Sequence, residues 1–478
     1  MLQQILAIQG INLGDTLMPT LDFKGKPLVY SHHLAVPSRP LAPKVKQSLP
    51  PKGKKPSLDD NLIIHGDNLH ALKALLPRYA GKVKCIYIDP PYNTGNEGWV
   101  YNDNVNSPLM QEWLKNASPV DGEDLERHDK WLCMMWPRLQ LLKELLAEDG
   151  VICISCDDIE LANLVSIMDE IFGSHNKEEI IAWRRRHNQP NDKSKPIAKT
   201  AEFIVVYAKD IEALKKIKSF NGLPLTGNFK NPDNDPRGAW ASKPWKSGSS
   251  QTGTRYKITT PTGKVYDEEW LGTKATFNNL LKDKRIFFSK GGDGLPRKKY
   301  YELERMEEGQ AAHNFWGHDE FGSNQDASRE IGEIGISFDN SKPSRLIKAI
   351  AQIFSNKNSI ILDSFAGSGT TAHAVLALNK EDNGNRKFIL VECENYADKT
   401  TAERVRRIVK GTKSSKDEDL KNGIGGSFTY CTLGDEMSIE NMLKGKKLPD
   451  YETLAHHVFW TATGQSPKAI RKARGKDG

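Results

Sequence analysis

Two short runs of this 478-residue chain carry side chains whose types and order point to chemistry rather than packing. Asp89-Pro90-Pro91-Tyr92 follows the apolar run 83–88, so it is expected at the C-terminal edge of a strand, where open α/β sheets hold their ligands. A carboxylate there can accept a hydrogen from the exocyclic amine of a base and favour the pyramidal, nucleophilic nitrogen over the ring-conjugated one. Asp89 is the candidate acceptor. Pro90 and Pro91 fix the backbone so that a carbonyl outside sheet pairing can take the second amine hydrogen, and Tyr92 offers a ring for a base to stack on. A rigid turn closing a strand would use the same four residues. Asn93-Thr94-Gly95 and a second motif weigh against it.

That second motif is Asp363-Ser364-Phe365-Ala366-Gly367-Ser368-Gly369-Thr370-Thr371, again straight after an apolar run and opening a helix. Glycines there let backbone approach a bound ligand closely. A phosphate-binding P-loop requires Lys before the Ser/Thr, whereas Gly369 is followed by Thr370, which argues against ATP. About twenty residues on, the run 388–391 ends in Glu392, the position of the acid that holds ribose hydroxyls in Rossmann-type sites. The pattern fits a nucleoside cofactor without a pyrophosphate, and the two motifs together argue against a metabolic dehydrogenase.

The elements that must position these loops read as α/β. Residues 62–64 form a short apolar strand, 68–76 a helix and 83–88 a strand; a helical pattern at Leu132, Met135, Leu139, Leu142 and Leu146 precedes the strand 151–155. A helix and a strand at 203–207 follow. From about 211 to 335 the pattern breaks into short Gly-, Pro- and Asn-rich segments, with Trp240, Trp245, Trp270 and Trp316 among basic residues. Regular α/β then resumes with a helix over 345–354, a strand at 360–362, a helix over 369–378 and a strand at 388–391. The expected division is a basic, extended N-terminal arm (1–56), a catalytic part of the core (57–210), an insert (211–335), a cofactor-binding part (336–412) and a C-terminal region (413–478).

Lysine and arginine outnumber acids 68 to 61, so total charge identifies no partner. Its distribution is more informative: eight Lys/Arg and no acid from Lys24 to Lys55, three arginines at 184–186, and five Lys/Arg between Lys468 and Lys476. Together these suit a phosphate-facing surface. Cys85, Cys153, Cys156 and Cys393 sit in apolar runs and are expected to be buried thiols; the Cys153/Cys156 pair lacks the further ligands of a zinc site, and no metal is expected. No apolar run has the length of a membrane span, and the N-terminus lacks signal-peptide features, so the expected location is cytoplasmic.

With these motifs the chain resembles the amino-group-specific DNA methyltransferases of the permuted, β-type order, in which the catalytic motif precedes the cofactor loop, and most closely the Mod subunit of type III restriction-modification systems. The likeness extends to Ile64–Asn68, Pro137-Arg138-Leu139, Asp149–Ile152, Met168–Gly173 and Lys342–Ile347. It implies a Rossmann-like methyltransferase fold with an inserted target-recognition domain and S-adenosyl-L-methionine as cofactor. It places Asp67 near the cofactor adenine, Lys342 and Pro343 beside its methionine end, Phe365, Gly367 and Gly369 around it, and Glu392 on its ribose. The implied reaction is base flipping followed by direct methyl transfer to N6 of adenine in a short DNA sequence, with Asp89, Pro90 and Tyr92 catalytic. Pro91, Asn93, Arg184 and Arg185 are candidate contacts to double-stranded DNA. N4-cytosine transfer is the nearest alternative; an RNA or protein N-methyltransferase and a non-catalytic DNA specificity subunit are further ones. A helicase-nuclease restriction subunit is an expected partner, a homodimer an expected assembly, and longer Mod subunits continue beyond the point at which this chain stops.

Overall fold

A computed structural model describes residues 20–94, 127–190, 196–216, 222–223, 228–308, 311–437 and 449–467. The chain divides into two compact units: Met1–Lys218 with His313–Gly478, and Ser219–Ala312.

The first six strands are β1 (Leu41–Pro43), β2 (Leu62–His65), β3 (Val83–Ile88), β4 (Leu146–Cys156), β5 (Lys177–Arg184) and β6 (Ala201–Ala208). Strands β7 (Trp240–Pro244), β8 (Thr254–Thr259), β9 (Val265–Trp270), β10 (Ile286–Phe288) and β11 (Pro296–Tyr301) belong to the second unit. β12 (Phe315–Trp316), β13 (Ile360–Asp363), β14 (Lys387–Glu392) and β15 (Thr429–Leu433) return to the first.

In the first unit ten strands form one sheet in the order β1-β15-β2-β14-β13-β3-β4-β6-β5-β12. The run from β15 through β4 is parallel throughout, while β6 pairs antiparallel with both β4 and β5. Central parallel strands are covered on both faces, which is why β3 from Cys85 to Ile88 and β14 from Phe388 to Val391 read as apolar runs rather than alternating ones. Helix Asn68–Tyr79 packs on Arg127–Leu145, and Ser344–Phe354 on Thr370–Asp382. The pairing that matters most is β13 with β3, Leu362 opposite Ile86. It sets two segments almost three hundred residues apart side by side and pointing the same way, so the loops after Asp363 and Ile88 leave one edge of the sheet.

The described part of the N-terminal stretch is not an extended arm. Residues 26–29 and 32–35 are helical, β1 pairs with β15, and Phe23, Val29 and Val36 enter the main core. Lys26 donates to Glu170 at 2.8 Å and lies over the Trp136 ring. Apolar side chains spaced among the lysines give this stretch a buried side. Cys85, Cys153 and Cys156 are buried free thiols, but Cys393, one residue beyond β14, is exposed. The apolar run ends at Val391, two residues before it.

The second unit holds the three-stranded antiparallel sheet β10-β11-β7, the hairpin β8-β9 and the helix Lys274–Lys282. Trp245, Ile258, Trp270, Phe277 and Ile286 form its core. It is narrower than the insert drawn from sequence, because β12 pairs with β5 and the helix Asn324–Glu333 belongs to the first unit. Trp316 stacks on Phe321 with ring centres 4.2 Å apart. Among the described residues no helix is long and apolar enough to cross a membrane, and no group of three or more His, Cys, Asp or Glu could hold a metal ion. Gly95 and the basic run 468–476 lie outside the described residues.

Candidate active site

β3 delivers Asp89 at its C-terminal end, and two prolines end the sheet pairing there. The Pro91 carbonyl accepts the indole N–H of Trp131 at 2.7 Å, which anchors the turn to the helix Arg127–Leu145. Asn93 follows with φ 58°, a left-handed backbone that Asn tolerates better than most side chains. It is fully buried, and its amide donates to Glu160, so here it fixes the turn. His128 and Asn163 also meet the Glu160 carboxylate.

Both oxygens of Asp89 are engaged. Oδ1 accepts the Tyr92 hydroxyl at 2.6 Å, and Oδ2 accepts the Lys342 ammonium at 2.6 Å. The same ammonium lies 5.0 Å from the centre of the Tyr92 ring. Burial opposes the lysine charge, but the carboxylates of Asp89 and Glu202 outweigh it and hold Lys342 above the ordinary lysine value. Burial, and then the Asp89 charge, push the Tyr92 phenol well above its usual range, so it remains a donor.

Glu202 was absent from the sequence reading. It sits on β6, 3% exposed, with Oε1 accepting Arg185 Nη1 at 2.8 Å and Oε2 3.6 Å from Lys342 Nζ and 3.3 Å from the Tyr92 hydroxyl. The available signal was a lone acid inside the apolar run 201–208, a placement that requires a buried partner. Arg185 is thus tied to Glu202, whereas the Arg184 guanidinium donates to the carbonyls of Arg186 and His187.

The glycine loop after β13 is built differently. Gly367 has φ 50° and Gly369 φ 82°. A Cβ on Gly369 would stand 3.1 Å from the Thr401 carbonyl oxygen, so this position needs glycine for both space and conformation. Thr401 lies in the π-helical turn Ala397–Ala402, and its hydroxyl donates to the Gly367 carbonyl at 2.6 Å. The Gly367 N–H donates to Glu392 at 2.7 Å, linking the loop to the end of β14. Arg404, buried beneath, donates to Ser368 and Thr370. Phe365 is half-buried, and the Phe338 ring lies beside Gly367 and meets Tyr396 edge-on. Arg404 and Phe338 also escaped the sequence reading.

Asp67 caps the helix Asn68–Tyr79 by accepting the His70 N–H, one strand over from Glu392: β2 and β14 are paired, with His65 opposite Glu392. Lys342 joins the two loops, because its carbonyl accepts the Thr370 hydroxyl at 3.2 Å while its ammonium holds Asp89. Pro343 precedes the helix Ser344–Phe354 as its N-cap. The structure therefore brings Asp89, Tyr92, Lys342, Gly367 and Gly369 to one edge of the sheet. Asp67 and Glu392 stand at the ends of the strands beyond β13.

An acid-Pro-Pro-aromatic turn and a glycine loop at adjacent parallel strand ends occupy the place where open α/β sheets hold nucleotide ligands. The chain belongs to the DNA methylase family of the N6_N4_Mtase model, which matches residues 83–403. It is 35% identical over 391 residues to the type III restriction-modification enzyme StyLTI Mod subunit of Salmonella typhimurium, covering 75% of this chain and 59% of that one. It is 29% identical over 424 residues to the EcoP15I Mod subunit of Escherichia coli, covering 76% and 64%. The type II methyltransferase M.KpnI of Klebsiella pneumoniae is 31% identical over 369 residues, covering 70% and 81%. The chain thus spans about three fifths of the length of these two Mod subunits.

Proposed function

We propose that this chain transfers a methyl group from S-adenosyl-L-methionine to N6 of adenine in a short DNA sequence, as the modification component of a type III-like restriction-modification system in the cytoplasm. The observation that carries the reading is the meeting of the Asp89 turn and the Gly367–Gly369 loop at neighbouring parallel strand ends, bridged by Lys342. The residues present fit the cofactor: two glycines with left-handed backbone shape the loop, and Ser364 Oγ is buried beside it without a hydrogen-bond partner among the described residues. Glu392 and Asp67 are assigned to the ribose and adenine ends, Phe365 to the ring, and Lys342 and Pro343 to the methionine end.

When bound, S-adenosyl-L-methionine supplies an electrophilic methyl group on a positively charged sulfur. The protein's part is to prepare the amine. Asp89 accepts one N6 hydrogen and the Pro90 carbonyl the other, the Pro91 carbonyl being taken by Trp131. That keeps the nitrogen lone pair out of the ring and aimed at the methyl group. Tyr92 stacks on the extruded base. The sulfonium would supply the methyl group and leave as a neutral thioether, and Asp89 would take up the proton that N6 loses and pass it to water. The second unit supplies base choice and Arg184 contributes to phosphate binding. A restriction subunit, the partner type that the names of the Mod relatives indicate, would supply cleavage.

Methylation-sensitive long-read sequencing of DNA from cells expressing the protein is the test. N6-methyladenine confined to one short sequence is expected. Methylation at N4 of cytosine would correct the base, and an unmodified genome with methylated RNA or protein would overturn the reading.

A further inference from the structure

Lys342 occupies the place where, on the reading above, the target amine must sit. Its ammonium donates to Asp89 Oδ2 and lies over the Tyr92 ring, so it engages both the acceptor and the aromatic face assigned to the base. Asp89 Oδ1 is already taken by the Tyr92 hydroxyl. A base amine reaches Asp89 only after the ammonium moves. With its side chain 9% exposed, that ammonium cannot be left without a counter-charge, since an unpaired buried charge costs several kcal/mol.

Among the described residues Glu202 is the other carboxylate paired with Lys342. Its Oε2 lies 3.6 Å from Lys342 Nζ, so a shift of about 1 Å brings the pair into hydrogen-bond range. Its Oε1 is held by Arg185, which fixes the carboxylate in place. Two carboxylates, one ammonium and one guanidinium balance, so the transfer leaves no net charge behind.

We propose that Glu202 is a positioning residue that takes Lys342 over from Asp89 when the target base enters, making the lysine a two-position latch on the catalytic carboxylate. The inference rests on the methyl-transfer reading of the site. It explains why an acid is buried on β6 beside the site, and why the lysine that reaches Asp89 also carries the backbone contact to the glycine loop: release of Asp89 is sensed where the cofactor binds.

The test is a double-mutant cycle in single-turnover methyl transfer, at saturating S-adenosyl-L-methionine, to duplex DNA carrying the methylated sequence. Glu202→Gln is expected to slow transfer by about 10- to 100-fold, the loss of a charge-assisted pair, with affinities for cofactor and duplex within about threefold of wild type. In a Lys342→Met background the same change is expected to cost less than about threefold, because no ammonium needs a new partner. A Glu202→Gln protein as fast as wild type, or losses that simply multiply, would overturn the latch; multiplication is what a purely structural Glu202 would give. If Glu202→Gln does not fold, Glu202→Asp enters the cycle instead: a deficit that vanishes with Lys342→Met supports the latch and any other result overturns it. Asp89→Ala in the same assay separates the failures. Transfer by that variant at the wild-type rate removes the whole reading, whereas an inactive Asp89→Ala beside an unaltered Glu202→Gln removes only the inference.

Discussion

The ends of β3 and β13 lie side by side yet are built from opposite materials. At β3 the geometry is set by hydrogen-bonded acid and base side chains and a phenol: Asp89 between Lys342 and Tyr92, with Glu202 and Arg185 behind. At β13 the loop itself is backbone and hydroxyls, with Gly367 and Gly369 shaped by Thr401, and the charged groups, Glu392 and Arg404, only hold it from beside and beneath. A charged site can rearrange by exchanging partners over about 1 Å, whereas a glycine cradle is fixed by sterics and has one shape. The first suits a place where a substrate must displace something; the second suits a ligand held the same way in every turnover.

That contrast is tested by variants with different signatures. Asp89→Ala should lower single-turnover methyl transfer about 10²- to 10³-fold while S-adenosyl-L-methionine affinity, by equilibrium dialysis, stays within about threefold. Gly369→Ala should do the reverse. Strain at φ 82° and the crowding against Thr401 should cost about 1–3 kcal/mol in thermal stability and weaken cofactor binding about tenfold or more, with transfer largely recovered at saturating cofactor. If both variants lose affinity and rate together, the two strand ends do not divide the work.

A smaller effect concerns Asp363, the acid under the loop. Burial pushes its carboxyl up to about 7, against about 3.9 in an unfolded chain. Between those values the folded protein holds the extra proton, so the group's contribution to stability is full at the acid end and declines as pH rises through 7. The wild-type urea midpoint relative to Asp363→Asn should therefore fall from pH 5 to pH 8; a flat difference would remove the raised value. His373, held down to about 3 by burial and Arg404, is present in both proteins and cancels. The smallest effect is expected of Arg184→Ala, which should lower the log–log salt slope of duplex binding by about 1 if that guanidinium meets phosphate.

Much of this arrangement is legible in the sequence because both loops are local: a few consecutive residues after an apolar run specify a turn, a cradle and their place at a strand end. The strands at 83–88, 360–363 and 387–392 are legible for the same reason, since burial on both faces leaves predominantly apolar runs rather than alternating ones. What escaped depends on which distant segments meet. Lys342 is a candidate from sequence but its pairing with Asp89, 253 residues away, is not, and Glu202 acquires its role only when β6 turns antiparallel beside β4. The N-terminal stretch misled by composition: its lysines are conspicuous, but Phe23, Val29 and Val36 determine where it packs.

The most direct measurement is the chemical fate of the methyl group. Purified protein, labelled S-adenosyl-L-methionine and duplex DNA should yield, after digestion to nucleosides, label in N6-methyldeoxyadenosine alone. Label in N4-methyldeoxycytidine, or label that passes to RNA or protein while the DNA stays unmodified, would contradict the account.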